Sequence, residues 1–133
     1  MKIAITAKTS DLDSEIDPRF GRCSYFLVIE TEDMSYKSIS NESQMASGGA
    51  GIQAAQTIAQ TGVQVLITGN VGPNAFQTLN AAGIDIFIGV TGNVKNAVEK
   101  YKKGELKKTQ SPSVDSHFGM RGSGRGFNRG GNL

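Results

Sequence analysis

Apolar positions fall in short blocks along this chain, and the spacing within the blocks changes with position. "KIAIT" (residues 2–6) is a brief, β-rich apolar run that predicts a buried strand. A polar loop, "AKTSDLDSEIDPRFGR", follows. "CSYFLVIE" (23–30) and "SYKSIS" (35–40) predict two more strands joined by the acidic turn "TEDM". From Gly51 the period becomes helical: Ile52, Ala55, Ile58 and Ala59 share a face, and Gly62 stands where the helix would stop. "VQVLIT" (63–68) predicts a fourth strand. Pro73 opens a second helix, with Ala75, Phe76 and Leu79 inside and Gly83 as terminator. "IDIFIGV" (84–90) predicts a fifth strand. A third helix follows, with Asn93 as cap, Val94, Ala97, Val98 and Tyr101 inside, and Gly104 at its end.

The order β-β-β-α-β-α-β-α constrains the topology. The first three strands can pair antiparallel, and the later right-handed crossovers give parallel neighbours. The expected architecture is α/β: a three-layer α/β/α domain around a mixed five-stranded sheet of order 3-2-1-4-5, which resembles the ribonuclease H-like topology. In that arrangement strands 1, 4 and 5 end on one edge. The loop 7–22, the turns "TGNVGPN" and "VTGNVKN" and the start of the first helix would meet there. Glycines 48, 49, 51, 69, 72 and 92 would line the edge with backbone donors, and Arg19 and Arg22 would add positive charge.

The glycine run has three readings. Gly49-Ala50-Gly51-Ile52-Gln53-Ala54 fits G-x-G-x-x-A, the dinucleotide fingerprint. That fingerprint follows a strand directly and has an acid about 20 residues on. Here "NESQMASG" intervenes, and the stretch at that distance, "GNVGPN", has no acid. No nucleotide is expected. A glycine-rich helix start with anion-attracting N–H groups remains, beside the plainer reading of a flexible way into a helix.

Charge divides the chain. Lys102, Lys103, Lys107, Lys108, Arg121, Arg125 and Arg129 oppose only Glu105 and Asp115, whereas residues 1–101 are net acidic. The boundary falls at 104: residues 1–104 form the domain, and 105–133, ending "GSGRGFNRGGNL", form a disordered basic Gly/Arg-rich tail. Phe127 among the arginines gives an alternative function, an RNA-associated binding module. His117, in the tail, reads as a solvated residue, and Met45 and Met120 are isolated. No apolar run approaches the roughly 18–20 residues of a membrane span, and "MKIAITAKTS" lacks the apolar core of a secretory signal. A cytoplasmic protein with no membrane partner is expected.

Several chemistries find no support. The first and fourth strands carry no acids, against the clustered carboxylates of a two-metal nuclease. A lone tail histidine supports no Ser–His–Asp or Cys–His grouping and no zinc spacing. Asp11, Asp13, Glu15 and Asp17 alternate like a calcium loop but lack its glycine and terminal glutamate. Cys23, the single cysteine, has two readings. It is a small apolar residue opening a strand, or a soft thiolate ligand to iron, copper or molybdenum–sulfide, its pKa lowered by Arg22.

Together, "DPRFGRCSYFLVIE", "GGAGIQAAQ" and "VLITGNVGPNAFQTLNAAGIDIFIG" resemble the dinitrogenase iron–molybdenum cofactor biosynthesis family, the nitrogenase accessory factors and their small relatives, over about residues 1–104. The resemblance implies no enzyme. It implies binding, carriage or maturation of a labile metal–sulfur cluster, iron- or molybdenum-containing, between donor and recipient proteins. Carried over, the binding positions are Arg19, Phe20, Gly21 and Arg22, then Gly48, Gly49 and Gly51, then Gly69, Asn70 and Gly72; Cys23, from its own chemistry, is the candidate metal ligand beside them. The linker "NESQMASGG" lacks the histidines that many relatives carry, so charge and backbone donors would hold the cluster. A weak homodimer would supply a second thiolate.

Overall fold

The computed structural model describes residues 1–42 and 49–109. Gly48, Met45, His117, Met120, Phe127 and residues 110–133 of the tail lie outside the described residues. The elements run β1 (Lys2–Ala7), a 3-10 turn (Phe20–Arg22), β2 (Tyr25–Glu30), β3 (Tyr36–Ser40), α1 (Ala50–Gln60), β4 (Val65–Ile67), α2 (Pro73–Ala81), β5 (Asp85–Phe87) and α3 (Val94–Lys102). The sheet order is β3-β2-β1-β4-β5, as expected. β1 pairs antiparallel with β2 and parallel with β4, and β4 pairs parallel with β5.

The two-residue period of the central strands sorts their side chains between two cores. Ala4, Phe26, Val28, Leu66 and Ile86 face α1 and α2, where they meet Ala54, Ala55, Ile58, Ala75, Phe76 and Leu79. Ile3, Ile5, Leu27, Ile29, Val65, Ile67 and Phe87 face α3 and meet Val94, Ala97 and Val98. Burying each such Ile, Leu or Phe contributes about 1.5–3 kcal/mol. Near-continuous apolar runs in β1 and β2 therefore mark strands covered on both faces.

Two strands are shorter than the apolar runs suggest. Beyond Phe87, Gly89 takes φ 75°, yet its N–H donates to Gly69 O at 2.8 Å and Val90 N–H to Thr68 O at 3.2 Å. The left-handed glycine breaks the regular ladder without ending the association of the segments that follow β4 and β5. The chain past α3 stays against the sheet. Thr109 N donates to Ile86 O at 2.7 Å, Lys108 pairs with Asp85 at 3.0 Å, and Leu106 packs on the α3-side core. No described helix is long and apolar enough to cross a membrane.

Candidate functional site

Loop 8–19 and the 3-10 turn bond to the start of α3 and to Asn70 in the turn before α2, and the 3-10 turn packs on α1. Their first half closes α3. Ile16 N donates to Gly92 O at 2.8 Å, Val94 N to Ser14 O at 2.9 Å, and Asn93 Nδ2 to Asp13 O at 3.0 Å. Asn93 Oδ1 accepts from Lys95 N at 2.8 Å and Asn96 N at 3.3 Å, the capping expected of it.

The second half borders an open cleft of about 470 Å³ between the starts of α1 and α2. Arg19, Phe20 and Gly21 form one wall; Gly49, Gly51 and Ile52 form another; Asn70, Gly72, Pro73, Asn74 and Ala75 form a third. Asn70 pins the first wall to the third, with its N–H donating to Pro18 O at 2.8 Å and its carbonyl accepting from Phe20 N at 3.3 Å. Gly21 lies so close to α1 that a Cβ there would come within 2.9 Å of Gly51 Cα and N. Only a glycine lets this turn rest on the helix start.

Neither helix start at the cleft has a capping side chain. Gly49 (φ 72°) and Gly72 precede α1 and α2 without a side-chain acceptor, and neither first turn holds an acid. The first intrahelical bonds are Gln53 N to Gly49 O and Phe76 N to Gly72 O, both at 2.9 Å. The N–H groups of Ala50, Gly51, Ile52, Asn74 and Ala75 thus have no acceptor among the described residues and project beyond the helix ends. Two positive dipole ends converge on one cleft, between apolar surfaces from Phe20, Ile52, Pro73 and Ala75.

The expected site residues divide accordingly. Arg19, Phe20, Gly21, Gly49, Gly51, Asn70 and Gly72 come together. Gly69 does not join the lining. A Cβ on it would lie 2.6 Å from Pro18 Cα, so its bareness serves a backbone crossing behind the cleft. Gly92 sits on the α3 side, bonded to Ile16. Arg22 ends the 3-10 turn, exposed, and is not part of the cleft wall.

The environment of Cys23 corrects the expectation of a lowered thiol pKa. The residue is fully buried, its thiol donates to Phe20 O at 3.3 Å, and Asn41 Nδ2 lies 3.8 Å from the sulfur. Burial, reinforced by the Asp17 charge, pushes the thiol up from 9.0 to about 12 rather than down. The cation with a lowering influence is Arg19, and that influence is the weakest of those at work. Burial wins because the sulfur lies within the α1/α2-side core.

Four participants carry little or no signal in the sequence. Asn74 and Ala75 supply donors at the start of α2. Asn41 clamps the turn from below, donating to Gly21 O at 3.1 Å and Cys23 O at 2.9 Å. Asp17 stands out in the sequence only as one of an acidic series. Its Oδ1 accepts from Arg19 N at 3.0 Å, an Asx turn for which "DPR" is a readable signal.

The fold and cleft define a class: small α/β domains that present two uncapped helix starts at the switch point of a mixed sheet. Within it, the chain belongs to the dinitrogenase iron–molybdenum cofactor family, whose model matches residues 1–104. It is similar to the orange protein of Desulfovibrio gigas, solved in its apo form, at 43% identity and TM-score 0.82 over 84% of this chain and 95% of that one. A Thermotoga protein solved by NMR aligns at 32% identity and TM-score 0.72, covering 84% of this chain and 97% of its own. An uncharacterised protein of Methanocaldococcus jannaschii is 31% identical over 111 residues, 81% of this chain and 91% of its own length.

Proposed function

We propose that this protein binds a preassembled, anionic metal–sulfur cluster, iron- or molybdenum-containing, in the cleft between α1 and α2. It carries the cluster between a donor and a recipient protein and performs no catalysis. The observation that carries this reading is the convergence of two uncapped helix starts on one partly apolar cleft. Backbone N–H groups at positive dipole ends favour an anion of any chemistry. The apolar walls favour one whose charge is diffuse and weakly hydrated, as it is on sulfide.

The donor set also argues for a cluster that brings its own ligands. No group of three or more His, Cys, Asp or Glu side chains able to hold a metal ion occurs among the described residues. The Cys23 thiol is buried and protonated at neutral pH. A bare metal ion would find little to replace its water shell, whereas a sulfide-bearing anion needs only charge and hydrogen bonds. Membership of the iron–molybdenum cofactor family supports the same cargo. The RNA-binding alternative rests on arginines and Phe127 that lie outside the described residues.

The test is an anaerobic titration with tetrathiomolybdate, followed by visible absorption and amide chemical shifts. Saturable binding should shift amides at 19–21, 49–52 and 70–75. Bare ferrous ion should not bind. Shifts confined to the α3 side of the sheet edge would overturn the assignment. Protein isolated anaerobically from its native host should contain metal and sulfide in fixed proportion.

A further inference from the structure

A carboxylate lies out of water at the rim of the anion cleft. Asp17 has 2% of its side chain exposed, and an anion-binding site gains nothing from a negative charge nearby. Its partner is Arg19. Asp17 Oδ1 accepts from the Arg19 backbone N–H at 3.0 Å and from Nε–H at 3.2 Å, and Oδ2 accepts from Nη2–H at 3.2 Å. The Arg19 side chain is 64% exposed, so it pairs with a desolvated carboxylate while itself remaining open to solvent.

The backbone on both sides of Arg19 is also held. Asp17 N donates to Thr6 O at 3.0 Å, and Thr6 Oγ1 donates to Asp17 O at 2.6 Å. Thr6 Oγ1 in turn meets Thr68 Oγ1 at 2.7 Å, both threonines being fully buried. Pro18 and Phe20 are bonded to Asn70 as described above. Main chain and carboxylate together leave the guanidinium little freedom.

We infer that Asp17 is a positioning residue for the cargo. It sets the plane of the Arg19 guanidinium so that the N–H groups it does not use, the second on Nη2 and both on Nη1, form a fixed fork at the rim of the cleft that Arg19 lines. A fork held by a second group loses less freedom per hydrogen bond than a roaming arginine, much as outer partners orient the direct ligands of a metal. This deepens the cluster-binding reading of the cleft and rests on it. It also reverses the sign expected from charge alone. A carboxylate that acted only by its charge would repel the anion, and removing it would tighten binding.

The experiment uses the full chain and tetrathiomolybdate as probe. Asp17→Asn should weaken binding about tenfold, and this effect should vanish in an Arg19→Ala background, because Asp17 acts through Arg19. Arg19→Lys keeps the charge without the fork and should lose about as much. In the free protein, the Arg19 Nε–H should exchange slowly with water, and rapidly in Asp17→Asn. Equal or tighter binding by Asp17→Asn, or the same weakening in the Arg19→Ala background, overturns the inference and leaves the cleft reading standing. If Asp17→Asn does not fold, Arg19→Lys decides, and wild-type affinity for it overturns the inference. A wild-type protein whose amides at 49–52 and 70–75 ignore the probe overturns the cleft reading, and the inference falls with it.

Discussion

The starts of α2 and α3 are built from similar material and end up in opposite states. Each helix has nine residues, follows a parallel strand through a short glycine- and asparagine-containing turn, and begins on the same edge of the sheet. At α3, Asn93 Oδ1 takes two of the first N–H groups and Ser14 O takes a third. At α2, Gly72 stands where Asn93 stands in α3, and the Asn74 and Ala75 N–H groups meet no acceptor among the described residues. A helix start is therefore not a binding site by virtue of its dipole. It becomes one only when neither a cap nor a crossing loop has already taken the donors.

The most direct challenge to this contrast is to make α2 resemble α3. Gly72 has the extended backbone of an ordinary N-cap (φ −76°, ψ 171°), and nothing lies within 4 Å of where its Cβ would be. Gly72→Asp should cap α2 and raise stability by a few tenths of a kcal/mol. It should also cost about a hundredfold in thiomolybdate affinity, since it removes two donors and adds a like charge. Calorimetric melting and an absorption titration would measure both. Undiminished binding would show that the α2 donors are not used.

Gly21→Ala tests the contact between the loop and α1. Its Cβ would press on Gly51 backbone at 2.9 Å, so the 3-10 turn must lift from the helix. A loss of roughly 1–3 kcal/mol in stability is expected from overpacking of this kind, with binding weakened about tenfold or more. Denaturant unfolding and titration on the same sample would separate the two effects.

Opening α3 should not create a second site. Asn93→Ala should cost about 1 kcal/mol by denaturant unfolding. Binding should stay within about twofold of wild type, because Ser14 still covers Val94 and the loop still lies across the helix start. New amide shifts at 93–96 on titration would mean that the cap alone kept α3 silent.

The smallest effect concerns Cys23. With its pKa raised from 9.0 to about 12 by burial, the folded state holds the thiol proton in a range where the unfolded state releases it. The associated stability is fully present below about pH 9 and declines as pH rises towards 12, at up to about 1.4 kcal/mol per pH unit. Cys23→Ala should remove that slope and leave cluster affinity within about twofold. Alkylation of the native thiol at pH 8 should be slow and should accelerate on unfolding. Loss of all binding in Cys23→Ala would instead make the thiol a ligand.

Much of the architecture is readable in the sequence because its signals are local. Asn93 caps its own helix two and three residues on, and Pro73 opens α2. The double-sided burial of β1 and β2 is written in their unbroken apolar runs. The site is legible less evenly. Gly69, Gly72 and Gly92 look equivalent in sequence, yet Gly72 lines the cleft, Gly69 yields to Pro18, and Gly92 is bonded to Ile16. Arg19 is recognisable as a cation but not as one held by Asp17. Cys23 beside Arg22 suggests an activated thiol, but the chain turns that sulfur inward beneath Phe20.

Strands, helices, their order in the sheet and the stretches that reach its carboxyl edge follow from the chain's own local pattern. Each of these depends on periodicity and on side chains a few residues apart. Which helix starts stay open, which glycines line a cavity and which way Cys23 faces were settled by long-range packing. Those outcomes depend on contacts such as Asn93 to Asp13, 80 residues apart, or Asn70 to Pro18, 52 apart. A backbone N–H offers the same donor wherever it lies, and only the packing of a distant segment determines whether that donor is already spent.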